Sequence, residues 1–244
     1  MIEPKISNAE LIEGVRAVRG ATADVRVTKR KRLRPTAGLT GSYFERVQLE
    51  IDGAPAKAIL KQGYMAYGPP TRERAFFASL AGDVPMRVPS VYGVGPEDAA
   101  GGDSWVLMEA LPRGKRIAEW SPEETPRALR NLAALHARYL GEPPAGLLRP
   151  LTDDLAYMFS FVGGGIEELR RKYDAYPHFP RAVSERSLDL AAQLAARPEI
   201  FRRAFDRSPQ TLLHGDYHRG NLVVRDGEPH VVFDWQFMCA GPPA

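Results

Sequence analysis

Up to about residue 110, short apolar stretches alternate with turn residues along the chain. This pattern predicts β-strands at 46–51 and 56–61, and a buried strand that runs into an extended segment at 105–112. The first two of these strands are joined by Asp52-Gly53, a dipeptide that favours a tight hairpin turn. The first part of the chain is therefore predicted to form a mainly antiparallel sheet.

Helical periodicity is found in one early segment and again through the middle of the chain. A helix is predicted at 71–80, and the region between residues 120 and 206 is predicted to be mainly helical. Three glycines at 163–165 are predicted to bend one of its segments. The buried face of the helix that begins near Ser121 is predicted to consist of Leu129, Leu132, Ala133, His136 and Leu140.

A second hairpin is predicted after the helical region. Strands at 222–224 and 230–233 flank a turn that contains Asp226-Gly227. The residue before the first strand and the residue after the second strand should then lie near each other, at the open end of the hairpin. These two residues are Asn221 and Asp234.

The loop before this hairpin, His-Gly-Asp-Tyr-His-Arg-Gly-Asn at 214–221, contains the chain's most informative chemistry. Phosphoryl transfer from ATP uses one carboxylate to orient the attacking hydroxyl and take its proton. It also uses an amide oxygen and a second carboxylate to hold magnesium ions on the phosphates. Asp216, Asn221 and Asp234 supply these three groups in order.

This motif resembles that of the aminoglycoside phosphotransferase and choline kinase-like superfamily, a branch of the protein-kinase-like fold. The matching residues are His214, Gly215, Asp216, Asn221 and Asp234. The resemblance implies that Asp216 is the catalytic base and that Asn221 and Asp234 bind Mg²⁺. It also implies that His214 supports the loop.

The same resemblance requires a nucleotide site in the first half of the chain. Gly38, Gly41 and Ser42 would form the loop over the phosphates, and Lys61, at the end of a predicted strand, would hold them. Glu73 would pair with Lys61. A solvated strand-end lysine and a first-turn glutamate favoured by the helix dipole remain the alternatives for these two residues.

The segment 105–112 resembles the hinge of this fold, whose backbone groups meet the edge of adenine. This resemblance assigns Glu109 to the nucleotide site through its backbone. The fold class implied is α+β, with two lobes as in protein kinases. The N-terminal lobe, 1–109, would contain an antiparallel sheet and a helix. The C-terminal lobe, 110–244, would be mainly helical around the catalytic β-hairpin, and truncated because relatives usually continue into further helices.

The resemblance implies an ATP- and Mg²⁺-dependent phosphotransferase that acts on a hydroxyl of a small molecule, such as an aminoglycoside, choline or a sugar. Two alternatives stay open. One is a catalytically inactive nucleotide-binding protein of the same fold. The other is a metal-dependent hydrolase built on His214, Asp216 and His218, whose spacing would place three possible ligands on one face of a strand. The choice between ATP and GTP, the acceptor and the oligomeric state cannot be predicted.

Charge and composition narrow the possible partners. The net charge is only +3, from 33 basic and 30 acidic residues, so there is no overall electrostatic signature of nucleic-acid binding. The basic run at 26–34 is interpreted as a solvated edge strand. With one cysteine, no signal-peptide pattern and no long apolar run, the expected location is the cytoplasm, without a membrane partner.

Overall fold

The computed structural model describes residues 6–33, 43–62, 71–96, 104–154, 166–168, 170–171, 175, 184–197 and 199–243. Gly38, Gly41 and Ser42, predicted to lie over the phosphates, fall outside the described residues, as does the predicted bend at 163–165.

The first described element is a helix at Asn8–Arg19 that was not predicted. After it come the sheet strands with the predicted helix near residue 71 among them, then helices, then short strands. The helices used below are α1 (Asn8–Arg19), α2 (Thr71–Ser79), α3 (Glu124–Tyr139), α4 (Glu185–Ala196) and α5 (Glu199–Phe205). The strands are β1 (Val25–Leu33), β2 (Tyr43–Ile51), β3 (Ala54–Gln62), β4 (Val91–Val94), β5 (Trp105–Glu109), β6 (Thr211–Leu213), β7 (Leu222–Val223), β8 (Val231–Val232) and β9 (Cys239–Gly241). No described helix combines the length and the apolar character needed to cross a membrane.

A five-stranded sheet with the order β1-β2-β3-β5-β4 dominates the first part of the chain. All of its neighbouring strands pair antiparallel. Strands β2 and β3 turn at Asp52-Gly53, and both residues adopt positive φ angles, 51° and 78°. The sequence prediction of this hairpin is confirmed, because Asp-Gly tolerates the left-handed backbone that a tight turn requires.

Helix α1 covers one face of the sheet. It begins with a capping box, in which Ser7 Oγ accepts the Glu10 N–H at 3.2 Å and the Glu10 carboxylate accepts the Ser7 N–H at 2.7 Å. Its apolar residues Leu11 and Val15 are fully buried. They join a core cluster with sheet residues that include Val47, Leu49, Leu60, Trp105 and Leu107.

The second predicted hairpin is also present. Strands β7 and β8 pair antiparallel, with Leu222 opposite Val232, and Gly227 in the turn has a φ of 71°. The strands are shorter than predicted. A separate pair, β6 with β9, places Thr211 opposite Gly241.

The chain divides into two compact units. The first contains Met1–Arg138 and His214–Met238, and the second contains Tyr139–Leu213 and Cys239–Ala244. The loop at 214–221 and the five-stranded sheet thus belong to the same unit. The lobe boundary after residue 109 stays a prediction.

The predicted buried face of α3 is partly wrong. His136 is buried as expected, but Leu129 and Leu140 are 59% and 51% exposed, and Ala133 is exposed as well. Ala128 and Leu135 are buried instead. The leucines of α3 are Leu129, Leu132 and Leu135, which are spaced three residues apart and spread over about 120° of the helix. The apolar periodicity therefore fits two faces about one residue apart.

The contact of α1 with the sheet leads to a testable prediction at Gly14. A Cβ atom at this position would lie 2.3 Å from the Trp105 ring and 2.8 Å from the Val94 carbonyl oxygen. Alanine would favour the helix by about 1 kcal/mol, whereas overpacking costs about 1–3 kcal/mol. Because a backbone atom blocks the methyl group, we expect Gly14→Ala to lower the free energy of unfolding by about 1–2 kcal/mol in urea denaturation.

Gly82→Ala is the matched control, since a Cβ atom there meets nothing within 4 Å. It should change the free energy of unfolding by less than about 0.5 kcal/mol. Equal stability of the two variants would contradict the close approach of α1 to the sheet.

Candidate active site

Lys61 is the centre of a buried ionic cluster. It lies near the end of β3, where the register places it between Phe44 of β2 and Val106 of β5. Its Nζ atom is 2.6 Å from Glu73 Oε2 and 2.6 Å from Asp234 Oδ1. One lysine therefore joins the sheet, helix α2 and the residue that follows the second hairpin.

The two carboxylates keep the buried lysine charged. Burial works against the Lys61 ammonium, but Glu73 and Asp234 more than offset this and raise the pKa of Lys61 above its usual value. Burial raises the pKa of Glu73 above its usual value, and the positive charge of Lys61 offsets part of this rise. Of the two partners, Glu73 is 5% exposed and Asp234 25% exposed, so only Asp234 has appreciable access to solvent.

An aromatic stack holds Asp234 and α2 in place. Trp235 is fully buried and stacks on Phe76 of α2, with ring centroids 3.9 Å apart and planes within 8°. The Trp235 backbone N–H also lowers the pKa of Glu73, against the effect of burial. Asp234 adopts the left-handed conformation, with a φ of 66°. Contacts of the two neighbouring residues hold this unusual backbone angle: the Phe233 N–H donates to the Asn221 carbonyl, and Trp235 stacks on Phe76.

Asp216 and Asn221 are bonded to each other inside the loop. The Asn221 Nδ2 group donates to Asp216 Oδ2 at 3.0 Å and to the Asp216 carbonyl at 2.9 Å. The Asn221 carbonyl accepts the Phe233 N–H at 3.1 Å, which places Asn221 beside the chain leading into Asp234. The side-chain nitrogen Nδ2 of Asn221 is engaged by Asp216, so the side-chain oxygen Oδ1 is the atom of this amide that can bind a metal ion.

His214 supports the loop through both ring nitrogens. Nε2–H donates to the Phe233 carbonyl at 3.0 Å, and Nδ1 accepts the Asp216 N–H at 3.3 Å. These two bonds require the neutral tautomer with its proton on Nε2. Burial lowers the pKa of His214 to about 4, so the ring stays neutral at pH 7.

This arrangement disfavours the metal-hydrolase hypothesis. A zinc ligand must offer a free nitrogen lone pair, but the Nδ1 lone pair of His214 accepts the Asp216 N–H. The Nδ1 atom of His218 accepts the Gly220 N–H at 2.9 Å. The two histidines thus shape the loop with the atoms that a zinc ion would need.

A pocket of about 370 Å³ lies beside the ionic cluster. Its walls contain Phe44, Ile59, Lys61, Glu73, Met108, Glu109, Leu111, Pro112, Arg113, Gly114, Val223, Phe233 and Asp234. The Glu109 carboxylate is engaged by Arg87 at 3.3 Å and by the Ser90 N–H at 3.2 Å. The Glu109 N–H also donates to the Ser90 carbonyl at 2.8 Å, so any part of Glu109 in the predicted hinge would fall to its backbone carbonyl.

Sequence reasoning overlooked several residues that support the site. The stack of Trp235 on Phe76 was not predicted, although the Asp-Trp dipeptide after a buried strand gave a signal for it. The hydrogen bond from the Tyr217 hydroxyl to the Ala128 carbonyl, 2.7 Å long, had no signal, since the two residues lie far apart in the sequence.

Comparison with known proteins identifies the family. Residues 41–244 match the model of the phosphotransferase enzyme family, APH. The chain therefore belongs to this family, which confirms the resemblance inferred from the loop motif. It is a member of a family of phosphotransferases. A comparison with curated proteins gives no match.

Solved structures confirm the kinase-like two-lobe fold. Spectinomycin phosphotransferase APH(9)-Ia, in complex with ADP and spectinomycin, is 14% identical, with a TM-score of 0.54 over 98% of this chain and 72% of that chain. The gentamicin complex of APH(2″)-IIa is 14% identical, with a TM-score of 0.51 over 100% and 73%. A candidate fructosamine-3-kinase from Haemophilus somnus 129PT is 15% identical, with a TM-score of 0.52 over 96% and 73%.

The neutral state of His214 predicts a pH dependence of stability. Between about pH 6.5 and about pH 4 the unfolded chain binds a proton at this histidine and the folded protein does not. The free energy of unfolding should therefore fall as the pH falls through this window, by on the order of 3 kcal/mol from His214 alone. Urea denaturation at several pH values should show a shallower dependence in His214→Gln.

His218→Gln is the control, because the His218 side chain is 56% exposed. It should keep the pH dependence of the wild type. If His214→Gln kept it as well, the assignment of a neutral, buried His214 would be wrong.

Proposed function

We propose that the protein transfers the γ-phosphate of ATP, in the presence of Mg²⁺, to a hydroxyl of a small molecule. The observation that carries this proposal is the joining of Lys61 to both Glu73 and Asp234 at the edge of a pocket large enough for a small ligand. Phosphoryl transfer requires a lysine for the phosphates, a glutamate that orients it and a carboxylate for the metal.

The pocket suits the base of a nucleotide. Ile59 and Met108 line it from the sheet, and Val223 and Phe233 line it from the hairpin, so a flat apolar ring would meet aliphatic and aromatic side chains. The segment that begins at Glu109 would offer backbone groups to the edge of the base. Lys61 would bind the phosphates at the polar end of the pocket.

The residues at the open end of the hairpin fit Mg²⁺. This ion prefers oxygen ligands and commonly takes one or two from protein carboxylates while phosphates and water supply the rest. The Asp234 carboxylate and the Asn221 amide oxygen belong to residues joined through the Phe233–Asn221 backbone hydrogen bond. When bound, the ion would neutralise charge on the phosphates.

Asp216 is proposed to act on the acceptor. Its carboxylate is 38% exposed and is oriented by the Asn221 amide, so it is both accessible and held in place. The acceptor oxygen would attack the γ-phosphorus while the bond to the β-phosphate oxygen breaks and ADP leaves. The hydroxyl proton would pass to Asp216.

The acceptor is proposed only as a class. Two of the compared proteins are named with spectinomycin or gentamicin, and a third is a candidate fructosamine-3-kinase. These are polar molecules that carry several hydroxyl groups. A panel of aminoglycosides, sugars, fructosamines and amino alcohols is therefore the appropriate first screen.

The first test of this proposal is Asp216→Ala. Loss of the base should lower turnover with an accepted substrate by at least about 100-fold, the usual range for this kind of catalysis. Affinity for ATP with Mg²⁺ should change little, because Asp216 is not part of the nucleotide pocket. Turnover is measured as ADP release, and affinity by isothermal titration.

Asp83→Asn serves as the control, because Asp83 is an exposed carboxylate outside the pocket. Full activity in Asp216→Ala would rule out its role as base. ATP binding by the wild type without turnover of any acceptor would instead favour the non-catalytic alternative.

The second test separates the metal site from the base. Asp234→Ala should raise the dissociation constant of Mg²⁺-dependent ATP binding about 10-fold to 100-fold, as expected for the loss of one charged contact. The readout is the upward shift of the unfolding midpoint by ATP with Mg²⁺, compared with ATP in excess chelator. An unchanged Mg²⁺-dependent shift in the variant would refute the ligand role of Asp234.

A further inference from the structure

Helix α3 and the catalytic hairpin are joined by a buried polar pair. Glu124, at the start of α3, lies with Oε2 2.5 Å from Nε2 of His230, which immediately precedes β8. The side chains are 7% and 0% exposed. Within the described part of the chain, Nδ1 of His230 has no hydrogen-bond partner, so the bond to Glu124 is the polar contact that fixes this ring.

Lys115 extends this pair to a third element, the segment that follows β5. Its Nζ atom is 3.9 Å from Glu124 Oε1 and 2.5 Å from Asp226 in the hairpin turn. Its backbone N–H donates to the Val224 carbonyl at 2.8 Å. We call Glu124, His230 and Lys115 the Glu124 junction, because the carboxylate of Glu124 contacts both other members.

The same end of α3 also holds the catalytic loop. Besides the Tyr217 bond to the Ala128 carbonyl, Arg219 Nη2 lies 3.3 Å from Thr125 Oγ1. Both loop residues lie between Asp216 and Asn221. The first turns of α3 therefore contact the loop on one side and, through the Glu124 junction, the hairpin on the other.

Residues of the Glu124 junction are close in sequence to residues that line the proposed nucleotide pocket, both in the segment after β5 and in the hairpin. Gly114, one residue before Lys115, lines the pocket and packs so closely on the hairpin that a Cβ atom there would lie 3.1 Å from Val223 and Val224. Phe233 and Asp234 line the pocket and follow His230 by three and four residues. Movement at the junction would therefore displace pocket walls and a proposed metal ligand.

We propose that Glu124 is a positioning residue, which acts through His230 to hold the hairpin in the geometry that binds the metal–nucleotide complex. This proposal rests on the function proposed above. Removal of Glu124 or of His230 would leave the other as a buried polar group without its hydrogen-bond partner, which would favour displacement of the hairpin. A purely structural pair would affect stability alone, whereas a positioning pair also affects the Mg²⁺ requirement for nucleotide binding.

The test measures the Mg²⁺ concentration that gives half of the ADP-induced rise in the unfolding midpoint, at fixed ADP. Glu124→Gln keeps an oxygen that can accept the His230 N–H and should resemble the wild type within about twofold. Glu124→Leu should need at least about fivefold more Mg²⁺, equivalent to the roughly 1 kcal/mol of one hydrogen bond. Glu123→Leu, at the neighbouring exposed position, is the matched control and should resemble the wild type.

The double variant Glu124→Leu with His230→Leu covers the case in which Glu124→Leu does not fold. It removes both polar partners, which costs less stability than the removal of one, and it still lacks the hydrogen bond. A raised Mg²⁺ requirement in the folded double variant supports the proposal, and a wild-type requirement overturns it. Absence of any Mg²⁺–ADP shift in the wild type would refute the proposed function, and this inference with it.

Discussion

The buried ammonium group of Lys61 is the constraint on which the active-site unit depends. It is satisfied only when β3, α2 and the chain after β8 come together, because its two carboxylate partners lie on the last two of these elements. Loss of one partner from a buried pair typically costs about 3–5 kcal/mol. The sheet and the β7–β8 hairpin are therefore held in one arrangement by a residue that also lines the proposed nucleotide pocket.

Neighbouring contacts make this ionic cluster rigid. The stack of Trp235 on Phe76 connects the hairpin to α2 independently of any charge. On the loop side, His214 bonds to Asp216 and to the Phe233 carbonyl without carrying a charge of its own. Neutral contacts thus set the backbone, which leaves the charged groups available for the phosphates, the metal ion and the acceptor of the proposed reaction.

Much of this arrangement could be predicted because its signals are local. Asp52-Gly53 and Asp226-Gly227 marked both hairpins, and the spacing of the catalytic-loop motif indicated the family. The buried face of α3 could not be predicted, since Leu129, Leu132 and Leu135 are three residues apart and their arc of about 120° fits two neighbouring faces of the helix. The pairing of Glu124 with His230 joins residues 106 positions apart, and no local pattern links them.

The unequal burial of the two Lys61 partners suggests how the site can be rigid and still bind a ligand. Glu73 is almost completely enclosed, and its burial makes exchange for water costly. Asp234 is more exposed and is held in a left-handed backbone conformation rather than by its carboxylate alone. On the proposed function, Asp234 can turn from Lys61 to Mg²⁺ while Glu73 keeps the lysine in place. Lys61 would then be free to bind phosphate oxygens without becoming an unpaired buried charge.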